Sequence, residues 1–512
     1  MRTRKTLPIL FMILALLLAA CGSGEAPAGN LPDEPYEPVP YNLFPIPDAA
    51  YVGDVMPFVT EDGTLELYYL YDTDHNGQAY HPVWKYSTAN LYQYENHGEV
   101  MPFGLMSDPD PAIGTGSVMQ DQEGIYHLFY TGHNDTGNGG NGKECVMQAV
   151  STDRENWEKQ GVVFFAPEGY SKDDFRDPEV FWAEEDQCYW LLIAARNDID
   201  GGVVLKFTSP DLKEWTCEGP IFAPHAQYML ECPDLFNIDG TWYLTYSWDC
   251  RTYYAMGGAS MKDPFTAPDD NVLDGTSETF GGGFIFYAAK TAQKDGNTYL
   301  CGWIGRAGLS ADSAVYQWAG NVLNHQLVKL EDGRLGVKAP DTYAQYFTAE
   351  KPFQAVKKEG KVQIKDNNIT LSAQEGAYAL ADMGTRAPSM TLECDVTIDA
   401  GGRAGFAFGG SEADETYTVL AMDAGEGLIR YEGYEIPDLA QFPAQAFTRF
   451  DFSSAEVHHV KLVCENEIVV CYIDDTKALS SRISHSTGGA HIGVFSDGCG
   501  ASFQNITVKL PE

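Results

Sequence analysis

The chain has 512 residues and a formal charge of −40, from 33 Lys plus Arg against 73 Asp plus Glu. Its hydrophobic share of 44% can fill large cores, which excludes global disorder, and its length suits about two to four domains. A surface this acidic repels phosphate backbones, which argues against nucleic acid as a partner, whereas neutral ligands such as sugars meet no such barrier.

In chain order, residues 1–20 read as a signal peptide. Arg2, Arg4 and Lys5 precede an apolar run, Leu7 to Leu18, that is short for a spanning helix. The following Leu18-Ala19-Ala20-Cys21-Gly22 resembles the lipobox of bacterial lipoproteins. That resemblance implies a lipidated Cys21 as the new first residue. The protein would be exported and held at the bacterial cell surface, touching the membrane only through the lipid. Losing three cations takes the mature charge from −40 to −43. Residues 21–45, rich in Gly, Ala, Pro and acids, read as a tether. The ten cysteines after Cys21 form no CxxC pair, which argues against structural zinc. The compartment permits disulfides, but the sequence does not pair them.

One pattern then recurs five times: a turn followed by an alternating aromatic strand. The turns centre on residues 63, 124, 186, 240 and 296, spaced 61, 62, 54 and 56 apart. Each reads as a hairpin. A second repeat follows three of them, at Ser87 to Tyr94, Ser151 to Trp157 and Ser209 to Trp215. Each is a strand end, a polar turn and an aromatic that opens another strand. Four strands per unit, five times, predicts an all-β chain whose residues 46–340 form a five-bladed β-propeller. Long helical periodicity is absent. Gln326 to Pro340 reads as the junction. Residues 341–512, with strand-like runs at Ser389 to Ile398, Val457 to Cys464 and Ile468 to Ile473, read as a β-sandwich.

Counting nine residues back from the first four turns lands on Asp54, Thr115, Asp177 and Glu231. Inner strands of a propeller line its channel, so equivalent positions converge at one mouth. Three carboxylic acids converging there suit glycoside hydrolysis: one as nucleophile or base, one as acid and one to orient the sugar.

At these residues the chain resembles glycoside hydrolase family 32, the β-fructosidases. Phe175-Arg176-Asp177-Pro178 resembles the family's Arg-Asp-Pro motif, and Glu231-Cys232-Pro233-Asp234 its Glu-Cys-Pro motif. Gly114-Thr115-Gly116-Ser117 is similar to its blade-two substrate loop. Trp303 and Gly305 are similar to its fifth blade, and Trp318-Ala319-Gly320 to its closing segment. The resemblance runs from about residue 50 to residue 510. It implies that Asp54 attacks the anomeric carbon of a fructosyl unit and that Glu231 protonates the leaving oxygen. Asp177 would grip ring hydroxyls, with Arg176 beside it keeping it ionised, and Thr115 and Trp303 would meet the substrate. The substrate would be a β-fructoside such as sucrose, levan or inulin, cleaved with retention and without a cofactor or metal. The family's Trp-Met-Asn-Asp-Pro-Asn-Gly reads Tyr51-Val52-Gly53-Asp54-Val55-Met56-Pro57 here. Gly53 thus replaces its Asn, Leu70 a Gln and Gly114 an aromatic.

Other signals carry less. Asp72 to Gly77 begins like a calcium loop, but its twelfth position is Val83 where a bidentate Glu is required. His75 and His81 read as loop residues, Trp84 as a core or sugar-stacking ring, and Cys232 as a residue that shapes Glu231. Two rivals remain: an inverting family 43-type propeller glycosidase acting on arabinosides or xylosides, and a non-catalytic glycan-binding lipoprotein. Oligomeric state is not legible.

Overall fold

The computed structural model describes residues 25–73, 80–277, 283–307, 316–411, 417–436, 444–453, 456–483 and 490–512. The stretch read as a signal peptide, Cys21 and His75 lie outside them.

Five antiparallel units follow one another. Blade one is β1 (Tyr51–Val59), β2 (Leu65–Asp72), β3 (Val83–Thr88) and β4 (Glu95–Met101). Blade two is β5 (Ala112–Gln120), β6 (Tyr126–His133), β7 (Glu144–Ser151) and β8 (Glu158–Phe165). Blade three is β9 (Phe175–Ala183), β10 (Cys188–Asn197), β11 (Gly201–Ser209) and β12 (Thr216–Phe222). Blade four has three strands, β13 (Glu231–Ile238), β14 (Thr241–Trp248) and β15 (Arg251–Met256). Blade five is β16 (Tyr287–Lys294), β17 (Asn297–Ala307), β18 (Tyr316–Lys329) and β19 (Leu335–Lys338). A bridge from Val52 of β1 to Gly320 of β18 joins the first blade to the last.

Local chemistry explains the repeat. The inner hairpins turn on Gly63, Gly124, Gly240 and Gly296 at φ between 77° and 85°, and on Gln187 in blade three. The second repeat forms the turn into each outer strand. In blade two, Ser151 Oγ accepts from the Arg154 amide at 2.9 Å, and Asp153 accepts from the amides of Glu155 and Asn156. Ser209 with Asp211 and Thr88 with Asn90 repeat the device. Blade four lacks this motif, and among the described residues it shows three strands and not the expected four. Val272 and Thr266 make only isolated bridges along β15. Apolar clusters fill the spaces between successive blades, such as Met56 and Tyr68 against Leu128 and Tyr130. Trp84 stacks on Tyr71 at 4.0 Å, which places it within blade one.

The C-terminal half is an eight-stranded and a seven-stranded antiparallel sheet facing across one core, with Leu392 and Val396 of one sheet near Phe406 and Leu420 of the other. The strands expected there appear at Ser389–Ile398, His458–Glu465 and Ile468–Ile473. The junction read at 326–340 is still propeller: β18 and β19 run through it. The ten cysteines after Cys21 are all unpaired, and eight of them are buried.

The stretch 21–45, read as a tether, does not hang free from residue 25 onward. The Ala26 amide donates to Val362, Val39 is tied to Asn466, and the amides of Asn42, Leu43 and Phe44 all donate to the Glu465 carboxylate. Its prolines prevent a long regular ladder, so backbone carbonyls of the sandwich satisfy the amides of Ala26 and Gly29 and side chains satisfy those of Val39 and Asn42 to Phe44.

A buried polar cluster joins the two domains. Asp274 accepts from Ser480 N at 2.7 Å and Ser480 Oγ at 2.5 Å, and lies 2.9 Å from His325 Nε2. His325 reaches Tyr472 through its other nitrogen at 2.9 Å. Removing the carboxylate orphans several buried donors. Asp274→Ala is therefore expected to cost about 3 kcal/mol of stability, read from denaturant unfolding; a loss under about 1 kcal/mol would show that the cluster does not brace the interface.

Candidate active site

Each inner strand carries one extra residue near the channel mouth. Across from β2, three residues of β1 span two of the partner, between Val52 and Val55. The same irregularity falls between Gly114 and Gly116, Arg176 and Glu179, Glu231 and Asp234, and Tyr287 and Lys290. A bulge bends its strand and re-aims its side chains. Here Asp54, Thr115 and Asp177 lie within a bulge and Glu231 flanks one, and the three acids come near enough to act on one another's charge.

Asp54 receives two donors from other blades. Thr115 Oγ1 donates to its Oδ2 at 2.6 Å and Trp303 Nε1 to its Oδ1 at 3.0 Å. Burial pushes the Asp54 pKa above the ordinary carboxylate range, against the pull of these two bonds. Thr115 and Trp303 are themselves buried. Read as substrate contacts, both spend their polar atoms on Asp54.

Asp177 sits at φ 65°, inside its bulge. Its amide donates to Thr131 Oγ1 at 2.7 Å, and its carboxylate accepts from the Cys232 amide at 3.0 Å. Cys232, read as shaping Glu231, makes its hydrogen bonds to Asp177. Burial raises the Asp177 pKa to about 7; the Arg176 charge opposes this, while Glu231 and Asp54 add to it.

Glu231 is held at both oxygens. Arg176 donates to Oε1 at 2.7 and 3.2 Å, and the Tyr287 hydroxyl donates to Oε2. Arg176 also donates to Glu144 at 3.2 Å. The Arg176 charge favours ionised Asp177, as expected, while its hydrogen bonds go to Glu231 and Glu144. Neighbouring residues of a strand point to opposite sides, so Arg176 and Asp177 cannot share one partner easily.

Beneath the acids lies Lys290, which is buried. It donates to Gly116 O at 2.8 Å and Glu179 Oε2 at 2.7 Å. Burial disfavours its charge, but Glu179, Cys232 and Asp234 together outweigh that and leave its pKa above the usual value. Gly116 must be glycine there, because a Cβ would meet Phe129 O at 1.7 Å. Tyr287 and Lys290 were not among the residues picked from sequence. Tyr287 had a signal: nine residues before Gly296 is Tyr287, the fifth member of the series.

The departures from the family pattern have local causes. A Cβ at Gly53 would lie 2.4 Å from Trp318 Cη2, and one at Gly114 would lie 3.0 Å from Thr131 Cβ. Trp318 is itself stacked on His81 at 4.9 Å and set edge-on to Trp303 at 5.8 Å. His81 is thus a buried packing residue. Asp72, read as the start of a loop, ends β2 with its carboxylate on Arg306 at 2.9 Å; residues 74–79 lie outside the described residues.

The propeller and its three gathered acids define a glycosidase, one that hydrolyses O-glycosyl bonds. The model for the glycosyl hydrolases family 32 N-terminal domain matches residues 46–339, and the chain belongs to that family. It is similar to the raffinose invertase of Escherichia coli, 25% identical over 462 residues that span 86% of this chain and 89% of that one. It is also similar to the levanbiose-producing levanase of Bacillus subtilis (strain 168), 23% identical over 485 residues, 88% of this chain and 86% of that one. Among solved structures, the fructan 1-exohydrolase IIa of Cichorium intybus in complex with 1-kestose superposes with a TM-score of 0.73 at 14% identity, covering 94% of this chain and 98% of that one.

Two outcomes follow from the geometry. Gly53→Asn is expected to lose about 1–3 kcal/mol by collision with Trp318, and the loss should shrink when Trp318→Ala is added; an undiminished double-mutant loss would contradict the collision. Asp177, Glu179 and Glu465 each have a pKa raised to about 7 by burial. Raised carboxyls bind more protons folded than unfolded, so stability falls as pH rises from about 4 to about 7. Thermal midpoints should be higher at pH 5 than at pH 8, and Asp177→Asn should flatten part of that slope; an unchanged slope would contradict the assignment.

Proposed function

We propose that the chain is an exported, lipid-anchored β-fructosidase that releases fructose from neutral β-fructosides with retention of configuration. The observation that supports it most is the convergence of Asp54, Asp177 and Glu231, from blades one, three and four, near enough for each to act on another's charge, with Thr115, the Cys232 amide and Tyr287 holding them in turn. The names of the relatives, an invertase of raffinose, a levanase and a fructan exohydrolase, point to fructosides of that kind. A chain charge of −40 favours uncharged sugars over phosphorylated ones.

In this reading Asp54 attacks the anomeric carbon of the fructosyl unit while Glu231 gives its proton to the departing oxygen. The glycosidic bond breaks and a fructosyl ester forms on Asp54. Glu231, now a base, takes a proton from water, which attacks the same carbon and frees the Asp54 carboxylate. Trp303 and Thr115 fix the orientation of Asp54 throughout, and Arg176 and Tyr287 fix that of Glu231. Asp177 accepts from ring hydroxyls, an interaction that strengthens as positive charge builds on the sugar. Residues 1–20 direct export, and lipid on Cys21 holds the enzyme at the surface.

Residues 22–512 are expected to release fructose from sucrose, inulin or levan. Asp54→Asn and Glu231→Gln should each lower kcat by about 10³-fold or more. Arabinose or xylose release from arabinan or xylan would favour the family 43-type rival. Absence of any turnover by the folded protein would favour the binding-protein rival. For the anchor, Cys21→Ser should move the protein from the membrane fraction to the soluble one.

A further inference from the structure

An aromatic pair beside Glu231 has no part in the chemistry above. Tyr228 lies in the segment that leads into β13, three residues before Glu231, and remains 49% exposed. Its ring is nonetheless fixed. The hydroxyl donates to Asp174 Oδ2 at 3.1 Å, the guanidinium of Arg196 lies over the ring at 4.7 Å, and the ring stacks on Trp248 at 5.5 Å and 30°. Trp248 ends β14, next to Ser247, and Ser247 is the residue that faces Glu231 across the strand pair. On the other flank, Asp174 lies 3.8 Å from Arg176, which is bonded to Glu231. The two rings therefore stand at the shoulder of Glu231, tied to its surroundings through β14 on one side and through Asp174 and Arg176 on the other.

A rigid, half-exposed aromatic surface loses little entropy on binding and offers an apolar face with a polar edge. The complement of such a face is the C–H face of a sugar ring. Glu231 delivers its proton to the departing oxygen, so the leaving group sits on the Glu231 side of the channel. The residues that satisfy Tyr228, Asp174 and Arg196, are already paired with each other at 2.8 Å, so the surface presents stacking and not a free charge.

We propose that Tyr228 and Trp248 form the platform on which the departing sugar ring stacks, which makes neutral fructosides with a sugar leaving group the preferred substrates. This rests on the fructosidase reading and names the half of the substrate that reading leaves open.

The test compares kcat/KM for sucrose, whose leaving group is a sugar ring, with that for methyl β-fructofuranoside, whose leaving group is not. Tyr228→Ala and Trp248→Ala should each lower the sucrose value about tenfold, mainly through KM, and leave the methyl fructoside within about twofold. Tyr228→Phe, which keeps the ring and loses the Asp174 bond, should stay near the unsubstituted enzyme on both. Equal losses on the two substrates would overturn the platform, because they would show that Tyr228 only braces Glu231 through Asp174 and Arg176. No loss on sucrose would overturn it as well. If the unsubstituted chain releases fructose from neither compound, the fructosidase reading fails and the platform fails with it.

Discussion

The channel mouth depends on the extra residue that each inner strand inserts at the same height, from Gly53 and Asp54 in blade one to Ala288 and Ala289 in blade five. A regular strand would send successive side chains to alternate faces and leave its ladder closed. The bulge opens the ladder and turns one side chain toward the axis. The cost is visible in the backbone: Asp177, Cys232 and Ala288 take φ of 65°, 50° and 52°. That strain persists at Asp177 and Cys232 because the freed amides find partners in the preceding blade. Thr131 takes the Asp177 amide and Asp177 takes the Cys232 amide. The hydrogen bonds that join one blade to the next are therefore the same ones that position the acids.

Gathering carboxylates out of water is unfavourable, and the fold answers this with specific donors. Lys290 supplies a buried cation beneath the acids, bonded to blade two through Gly116 O and to blade three through Glu179. Asp234 on blade four takes the amide and hydroxyl of Thr291 on blade five at 2.7 and 2.6 Å. The two carboxylates are thus held by different kinds of partner, Asp54 by neutral donors and Glu231 by a cation and a hydroxyl.

Much of this was legible in the sequence because it is periodic. The hairpin glycines, the Ser-x-Asp turns and the nine-residue offset all repeat. Carrying the offset to the fifth repeat would also have found Tyr287. What was not legible depends on direction within a strand or on contacts far apart in the chain. Whether Arg176 faces Asp177 or Glu231 is decided by the bulge between them and Glu179, which leaves no residue-type signature. Gly53 stands where the resemblance expects Asn, and the space beside it is filled by Trp318, a residue far along the chain. Residues 25–45 have the composition of a linker, but three of their amides meet one buried Glu465, and composition does not reveal such a partner.

The central claim is that Asp54, held by Thr115 and Trp303, forms a covalent bond to the sugar. The most direct measurement is mass spectrometry of the enzyme quenched with acid during turnover of a fructoside, followed by peptide mapping. The account predicts the added mass of one hexosyl unit on the peptide that carries Asp54, and its absence in Asp54→Asn. A label on Asp177 or Glu231, or turnover with inversion and no label on any peptide, would contradict it.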